Sequence, residues 1–242
     1  GTFEDLSAYF RPAKGAHAFK RTSRLAPANV ATRDDERADS RPQECRLAAA
    51  DVPTRGHRVA RMGEGRDEER RADLERRLAA VRERIAAACA AAGRDPDRVE
   101  LMAVTKTVPA ADVATLLDLG LTLFGENRAQ EAGAKVAEVA ALRPDAHPRW
   151  HFIGGLQRNK AKAVVAWADR VESVDSARLA DALDRAAARA CDEGRRPGPL
   201  PVLLQYSVDG DPERGGVPAD GLLPLADRVA GCAALRLEGL MA

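Results

Sequence analysis

Apolar and polar positions follow two repeating patterns along most of the chain. Between Asp67 and Gly93, apolar residues recur every three or four positions with Arg and Glu between them. This spacing predicts a helix with one apolar face. A short apolar run at residues 101–107 follows, and a run of this length is typical of a strand that is buried on both faces. The regular part of the chain therefore begins with a helix and a buried strand.

The same alternation of strand and helix continues through the chain. Apolar runs predict further strands at residues 121–126, 150–154, 170–174, 200–208 and 235–241. Segments with helical spacing precede or separate them, at residues 109–120, 129–142, 159–168, 176–191 and 219–230. Strict alternation predicts parallel strands joined by right-handed crossovers. A (β/α) barrel and an open doubly wound sheet both fit this pattern.

Residues 1–66 have a different composition from the rest of the chain. They contain scattered basic residues, four prolines and no sustained apolar period. Such a segment cannot bury enough apolar surface to offset the entropy lost on ordering, which predicts a disordered N-terminal extension. We expect the folded domain to cover residues 67–242. Met62 lies just before it and is the expected natural start of the folded protein.

Charge, hydropathy and cysteine usage exclude several classes of function. The net charge is +1, which gives no general case for binding nucleic acid or an anionic membrane. No apolar stretch approaches the ~18 residues of a membrane helix, and the N-terminus lacks an apolar signal core. The cysteines stand far apart without a nearby histidine, which argues against a zinc site and suits a reducing cytoplasm. They are Cys45, Cys89, Cys191 and Cys232.

Lys106 is the first candidate for chemistry, because it ends a predicted buried strand. An unpaired ammonium group loses its hydration in such a place, so packing seldom explains a lysine there. Desolvation lowers the pKa of an amine, and the neutral fraction can form an imine with an aldehyde. The alternative is a lysine whose stem lies in the rim of the sheet and whose head reaches water.

Other candidates lie at the ends of the neighbouring predicted strands, where barrel enzymes place their functional groups. They are Glu126 and Asn127, His151 within its strand, the glycine pair Gly154 and Gly155, and residues 205–207. An amide, an imidazole and glycines that permit close backbone approach suit a phosphorylated aldehyde. A helix N-cap fits Asn127 equally well, and a hydrogen-bonded core histidine fits His151.

Four short motifs occur in a specific order and spacing from about residue 67 to the end. They are Ala-Val-Thr-Lys-Thr at 103–107, Phe-Gly-Glu-Asn at 124–127 with Gln-Glu at 130–131, Trp-His-Phe-Ile-Gly at 150–154 followed by Leu-Gln and Asn-Lys, and Gly-Leu-Met-Ala at 239–242. Together they resemble the pyridoxal phosphate homeostasis proteins, which are single-domain relatives of the barrel domain of alanine racemase.

The resemblance implies a (β/α)8 TIM-barrel-like fold, the fold type III barrel, that holds pyridoxal 5′-phosphate (PLP) as a Schiff base on a lysine. It places Lys106 at the Schiff-base position, and Asn127 and His151 near the cofactor. It also implies a monomeric carrier or regulator in intracellular PLP (vitamin B6) and amino-acid homeostasis. Apo PLP enzymes are the implied partners, and no residue is implied to be catalytic.

The family pattern continues for two strands beyond residues 239–242, and that part carries the segments that grip the cofactor phosphate. We therefore expect a C-terminally incomplete barrel of about six strands. Two alternatives remain open: a PLP-dependent amino-acid racemase, or an inactive fragment of the barrel. Racemisation needs an acid and a base on opposite faces of the substrate carbon. In alanine racemase the second base is a tyrosine from an extra domain, which has no counterpart here.

Overall fold

The computed structural model describes residues 56–211 and 214–242. Most of the predicted extension, residues 1–55, lies outside the described residues. Within the described ranges, helices and strands alternate as α1 (Gly56–Ala91), β1 (Ala103–Val104), α2 (Ala110–Asp118), β2 (Leu123–Glu126), α3 (Ala129–Leu142), β3 (Arg149–Phe152), α4 (Ala161–Val165), β4 (Arg170–Val174), α5 (Ala177–Asp192), β5 (Leu200–Gln205), α6 (Ala219–Ala230) and β6 (Leu235–Met241). Short 3-10 turns at Pro96–Arg98 and Arg158–Lys160 precede β1 and α4.

The strands form one parallel sheet in the order β1-β2-β3-β4-β5-β6. A doubly wound sheet reverses its strand order at a switch point, whereas this order is sequential. Right-handed crossovers between adjacent strands put all the helices on one face. We call that face the helix side and the opposite one the inner face. The sheet is barrel-like and open, with six strands where a closed (β/α)8 barrel has eight, which confirms the predicted fold class.

The hydrophobic core fills the space between the sheet and its helices. One cluster joins β3 to β6 with α4, α5 and α6, and a second surrounds β2 and α2. Strand β5 shows how the sheet supplies this core, since Leu200, Val202 and Leu204 are fully buried and alternate with half-buried residues. No helix in the described part of the chain is both long and apolar enough to span a bilayer.

Several predicted boundaries match the structure. Helices α3 and α6 cover the predicted residues 129–142 and 219–230. Helix α1 begins at Gly56, within the segment assigned to the extension, so the boundary between residues 66 and 67 stays a prediction. The fifth strand ends at Gln205 rather than at residue 208, and Val208 is 71% exposed.

The prediction of a strand over residues 101–107 that is buried on both faces is wrong. Strand β1 contains only Ala103 and Val104, and Val104 is 51% exposed. The reason is the position of β1 at the edge of the described sheet, where β2 is its one neighbour and no described element covers its inner face.

Asp118, the last residue of α2, forms ion pairs that connect α2 with α1 and with the end of α3. Its carboxylate accepts hydrogen bonds from Arg143 Nε at 2.8 Å and from Arg143 Nη2 at 2.6 Å, just after α3. Arg71 on α1 lies 3.5 Å away. The hydrogen bond from Arg143 lowers the pKa of Asp118 below its ordinary value of 3.8. Because all three side chains are partly exposed, solvent screening keeps the stabilisation small.

We predict that Leu183→Ala lowers the free energy of unfolding by about 2–5 kcal/mol, the usual cost of a buried Leu-to-Ala cavity. Leu183 on α5 is fully buried among the residues of the larger cluster. The matched control is Leu142→Ala at a side chain that is 42% exposed, for which we expect a change within about 0.5–1 kcal/mol. Urea unfolding measures both, and equal losses would contradict this assignment of the core.

We predict that Asp118→Asn lowers stability at pH 7 by at most about 1 kcal/mol, the upper range for partly exposed ion pairs. Because folding lowers the pKa of Asp118, its stabilisation is fully present above pH 3.8. It is lost as the pH falls through the lower pKa of the folded state. Urea unfolding at pH 7 and at pH 3 should therefore show a smaller difference between variant and parent at the lower pH. A difference that grows on acidification would contradict the sign.

Candidate functional site

Parallel pairing brings the carboxyl ends of all strands to one edge of the sheet. Val104 on β1 pairs with Gly125 on β2, and the Thr105 N–H donates to the Gly125 carbonyl at 2.9 Å. Lys106 and Asn127 each lie two residues beyond this pair, just past the ends of β1 and β2. They therefore stand at the same level on neighbouring strands, as the sequence predicted.

Lys106 occupies a turn directly after β1. The Val108 N–H donates to the Thr105 carbonyl at 2.9 Å, so Lys106 and Thr107 are the two central residues of the turn. The Lys106 side chain is exposed. Within the described residues its amine has neither a hydrogen-bond partner nor an ion-pair partner. The prediction of a desolvated amine is wrong, because β1 is an uncovered edge strand that ends before Lys106. The alternative, a lysine whose head reaches water, is confirmed.

Asn127 is half-buried at the end of β2. Its Oδ1 is buried and receives no hydrogen bond from the described residues. The residue that caps α3 is Arg128, not Asn127, so the N-cap hypothesis is wrong. Glu126 points to the helix side, where it contacts α3, and alternation along the strand turns Asn127 to the inner face. Buried polar atoms are seldom left unpaired, which makes Asn127 Oδ1 a candidate for ligand contact.

Gly154 lets the segment after β3 approach Asn127 closely. A Cβ atom at Gly154 would lie 2.3 Å from the Asn127 carbonyl oxygen and 2.7 Å from its Cα. At the neighbouring Gly155, a Cβ atom would have no heavy atom within 4 Å. The close approach at Gly154 is to the backbone of Asn127, so the expectation that these glycines let backbone approach a ligand stays a prediction.

His151 lies deeper than Lys106 and Asn127. Its neighbours Trp150 and Phe152 pack against the helices, so His151 faces the inner side of the sheet. It pairs in register with Gly125, which places it about 7 Å below the level of Asn127 at the usual rise per residue. It is buried, with Nδ1 2.6 Å from Glu172 Oε1. The hypothesis of a hydrogen-bonded core histidine is confirmed.

The contact with Glu172 also determines how the imidazole is presented. Nδ1 is engaged by the Glu172 carboxyl group, which fixes the orientation of the ring. The other ring nitrogen, Nε2, is therefore the one that is left to contact a ligand. The residue after Glu172 adds a further polar atom, since Ser173 is 1% exposed and its Oγ has no partner in the described part of the chain.

The sequence analysis missed a buried polar cluster behind Lys106, formed by Thr105, Glu126 and Lys135. Glu126 Oε1 accepts hydrogen bonds from Thr105 Oγ1 and from Lys135 Nζ, both at 2.7 Å. Lys135 Nζ also donates to the Thr105 carbonyl at 2.5 Å. The available signal was the position of Lys135 on α3, since it shares the inward stripe with Ala132, Val136 and Val139.

Cavities that could hold a ligand lie at both ends of the sheet. One of about 310 Å³ opens between the loops after β2 and β3, lined by Asn127, Arg128, Gly155 and Lys160 among others. A cavity of about 530 Å³ lies at the opposite end, against the segments that lead into β1 and β2. It is lined by none of the three predicted site residues. Among the described residues, no group of three metal-ligating side chains is clustered.

We predict that Gly154→Ala destabilises the fold by about 1–3 kcal/mol, as overpacking does in well-packed proteins. The added methyl group would overlap backbone atoms of Asn127, which cannot move aside as a flexible side chain can. Gly155→Ala is the matched control, because its methyl group would meet open space, and we expect it to unfold like the parent chain. Thermal unfolding measures both, and similar behaviour of the two variants would contradict the close approach.

Comparison with known proteins agrees with this geometry. Residues 77–242 match the family described as alanine racemase, N-terminal domain. The pyridoxal phosphate homeostasis protein of Mycobacterium bovis is 46% identical over 186 residues, which cover 72% of this chain and 70% of the relative. The protein of the same name from Escherichia coli K12 is 37% identical over 173 residues, which cover 70% of each chain.

Solved structures give the same relationship. PipY of Synechococcus elongatus, determined with PLP bound, superposes with a TM-score of 0.56 at 33% identity and covers 69% of each chain. An unknown protein from Bifidobacterium adolescentis superposes with a TM-score of 0.64 at 32% identity, over 72% of this chain and 70% of the other. The chain belongs to the alanine racemase N-terminal domain family and, within it, to the pyridoxal phosphate homeostasis proteins.

Proposed function

We propose that this chain binds PLP and serves in PLP homeostasis, with the Lys106 amine as the covalent anchor. The observation that carries the proposal is the unpartnered Lys106 amine at the carboxyl end of β1, level with Asn127. Two further findings support it. The curated relatives carry the name pyridoxal phosphate homeostasis protein, and the neighbour PipY has been solved with PLP bound.

The polar groups at this edge fit such a ligand. The Lys106 amine and Asn127 Oδ1 have no partner among the described residues. PLP, when bound, supplies an aldehyde that condenses with a neutral amine to form a Schiff base, with release of one water molecule. Lys106 would contribute the nitrogen of that bond, and the two hydrogens of its neutral amine would leave in the water molecule that is released.

The neighbouring residues orient the ligand. Asn127 offers a side-chain amide on the inner face at the level of Lys106, where it can exchange hydrogen bonds with polar ring substituents. His151 lies about 7 Å deeper, and its Nε2 is the ring nitrogen that is left for a polar contact with the ligand there. Glu172 holds the imidazole through Nδ1, so that the ring does not rotate when a ligand approaches.

We further propose that the protein works as a monomeric carrier in the cytoplasm and hands PLP to apo PLP enzymes. Its folded domain covers residues 67–242, after an N-terminal extension. Cys89, Cys191 and Cys232 are free thiols, which suits a reducing compartment. Size-exclusion chromatography with light scattering tests the monomer, and a dimer would contradict that part.

We predict that PLP added to the purified chain gives a visible absorption band, and that borohydride then fixes the cofactor on Lys106. Lys106→Ala should lose both signals, because the other amine near the end of β1, Lys135 Nζ, is held by Glu126 and by the Thr105 carbonyl. Lys162→Ala, at an exposed lysine on α4, is the matched control and should keep both. Peptide mass mapping identifies the modified residue. Trapping that persists in Lys106→Ala at the parent level would refute the anchor.

A second experiment distinguishes transfer of PLP to another protein from catalysis of amino-acid racemisation. The PLP-loaded chain is mixed with an apo PLP enzyme, and recovery of that enzyme's activity is followed over time. Recovery faster than with an equal concentration of free PLP supports transfer, and recovery at the rate seen with free PLP would contradict it. Conversion of L-alanine to D-alanine well above a no-protein control would instead favour the racemase alternative.

A further inference from the structure

We infer that Thr105, Glu126 and Lys135 form a buried positioning cluster that fixes the backbone of the turn carrying Lys106. The inference rests on the proposed function, since it concerns how the anchoring amine is held. None of the three side chains is proposed to touch PLP. They act through the backbone of Thr105, the residue that immediately precedes Lys106.

Every polar group of Thr105 is engaged. Its N–H donates to the Gly125 carbonyl at 2.9 Å, and its hydroxyl donates to Glu126 Oε1 at 2.7 Å. Its carbonyl accepts from the Val108 N–H at 2.9 Å and from Lys135 Nζ at 2.5 Å. A carbonyl has two acceptor sites, and both are used here. Thr105 is 1% exposed, so water does not compete for these bonds, and the start of the turn is held from three directions.

Stability alone does not account for an ion pair in this place. Glu126 is fully buried, and only 12% of the Lys135 side chain is exposed. Replacing a buried ion pair with apolar residues of similar volume is often neutral or stabilising. Glu126 Oε2 is also buried without a donor among the described residues, which adds to the cost. An apolar set of side chains could fill the same space, but it could not hold the carbonyl and hydroxyl of Thr105.

The cluster compensates for the weakness of the strand that it supports. Strand β1 has two residues and one neighbour in the described sheet, and the end of such a strand frays easily. Lys135 and Glu126 connect this end to α3 and β2, which belong to the packed core. Lys106 is thereby carried on a fixed backbone while its amine stays accessible. A fixed backbone favours the reaction, because the Lys106 nitrogen is then presented to a bound aldehyde in one orientation.

The test compares two threonines that flank Lys106. Thr105→Val removes the buried hydroxyl, and Thr107→Val makes the same change at an exposed position. We expect Thr105→Val to weaken PLP binding about tenfold, as the loss of one hydrogen bond to a charged group does. It should also reduce the visible circular dichroism of the bound cofactor, which reports a fixed orientation. Thr107→Val should match the parent, and Thr105→Ser, which restores the hydroxyl, should recover both signals.

Binding is measured at a temperature where far-UV circular dichroism shows all variants folded. Parent-like affinity and dichroism in folded Thr105→Val would overturn the inference. If Thr105→Val does not fold, the double variant Glu126→Gln with Lys135→Met replaces it, because that change leaves no single charge buried. Parent-like PLP binding by the folded double variant would equally overturn the inference.

A measurement on the parent chain needs no variant. The amides of Thr105 and Val108 should exchange with solvent as slowly as amides of β2, although they lie at a strand end. Fast exchange would show that the turn is not held. Failure of the proposed function looks different, because the parent chain itself would then not be trapped on Lys106. Trapping on Lys135 in the parent would also count against the inference, since that amine would then be a ligand rather than a support.

Discussion

Parallel pairing in sequential order is the constraint on which the rest of the structure depends. Each strand connects to the next through a right-handed crossover, so the helices cover one face and all strands end at the same edge. This arrangement brings Lys106 and Asn127 to one level, although a helix lies between them in the chain. It also leaves the inner face without helices, and polar side chains can therefore collect there.

The two faces of the sheet carry different kinds of side chain. The helix side is apolar, with Val171, Val202 and Leu204 completely buried. On the inner face polar side chains are paired across strands, as in His151 with Glu172 and Arg170 with Glu238. Buried charges need such partners. The pair of Glu126 and Lys135 is the notable departure, because it places charge on the helix side, at the edge where Lys106 lies.

How far the sequence determines the structure varies from element to element. Helices α3 and α6 were predicted to the residue, because their apolar stripes are bounded by polar segments. The extent of β1 was not, because an apolar run cannot reveal whether its strand lies inside a sheet or at its edge. Lys106 and Asn127 were identified from strand ends and motifs. Lys135 was missed, because an apolar stripe predicts packing against the sheet and gives no reason to expect a buried charge on it.

The exposure of Lys106 changes how its reactivity is to be understood. The expected mechanism was desolvation, which makes an amine nucleophilic by penalising its charged form. The exposed Lys106 amine keeps its contacts with water, so burial contributes nothing to its reactivity. Position can offset that disadvantage, since holding two reactants in a productive geometry is worth orders of magnitude in effective concentration. The structure fixes the position of the Lys106 backbone, because every polar atom of the preceding Thr105 is hydrogen-bonded. The Lys106 amine itself lies in solvent. The exposure of the amine is also compatible with the proposed carrier function, because water reaches the end of β1.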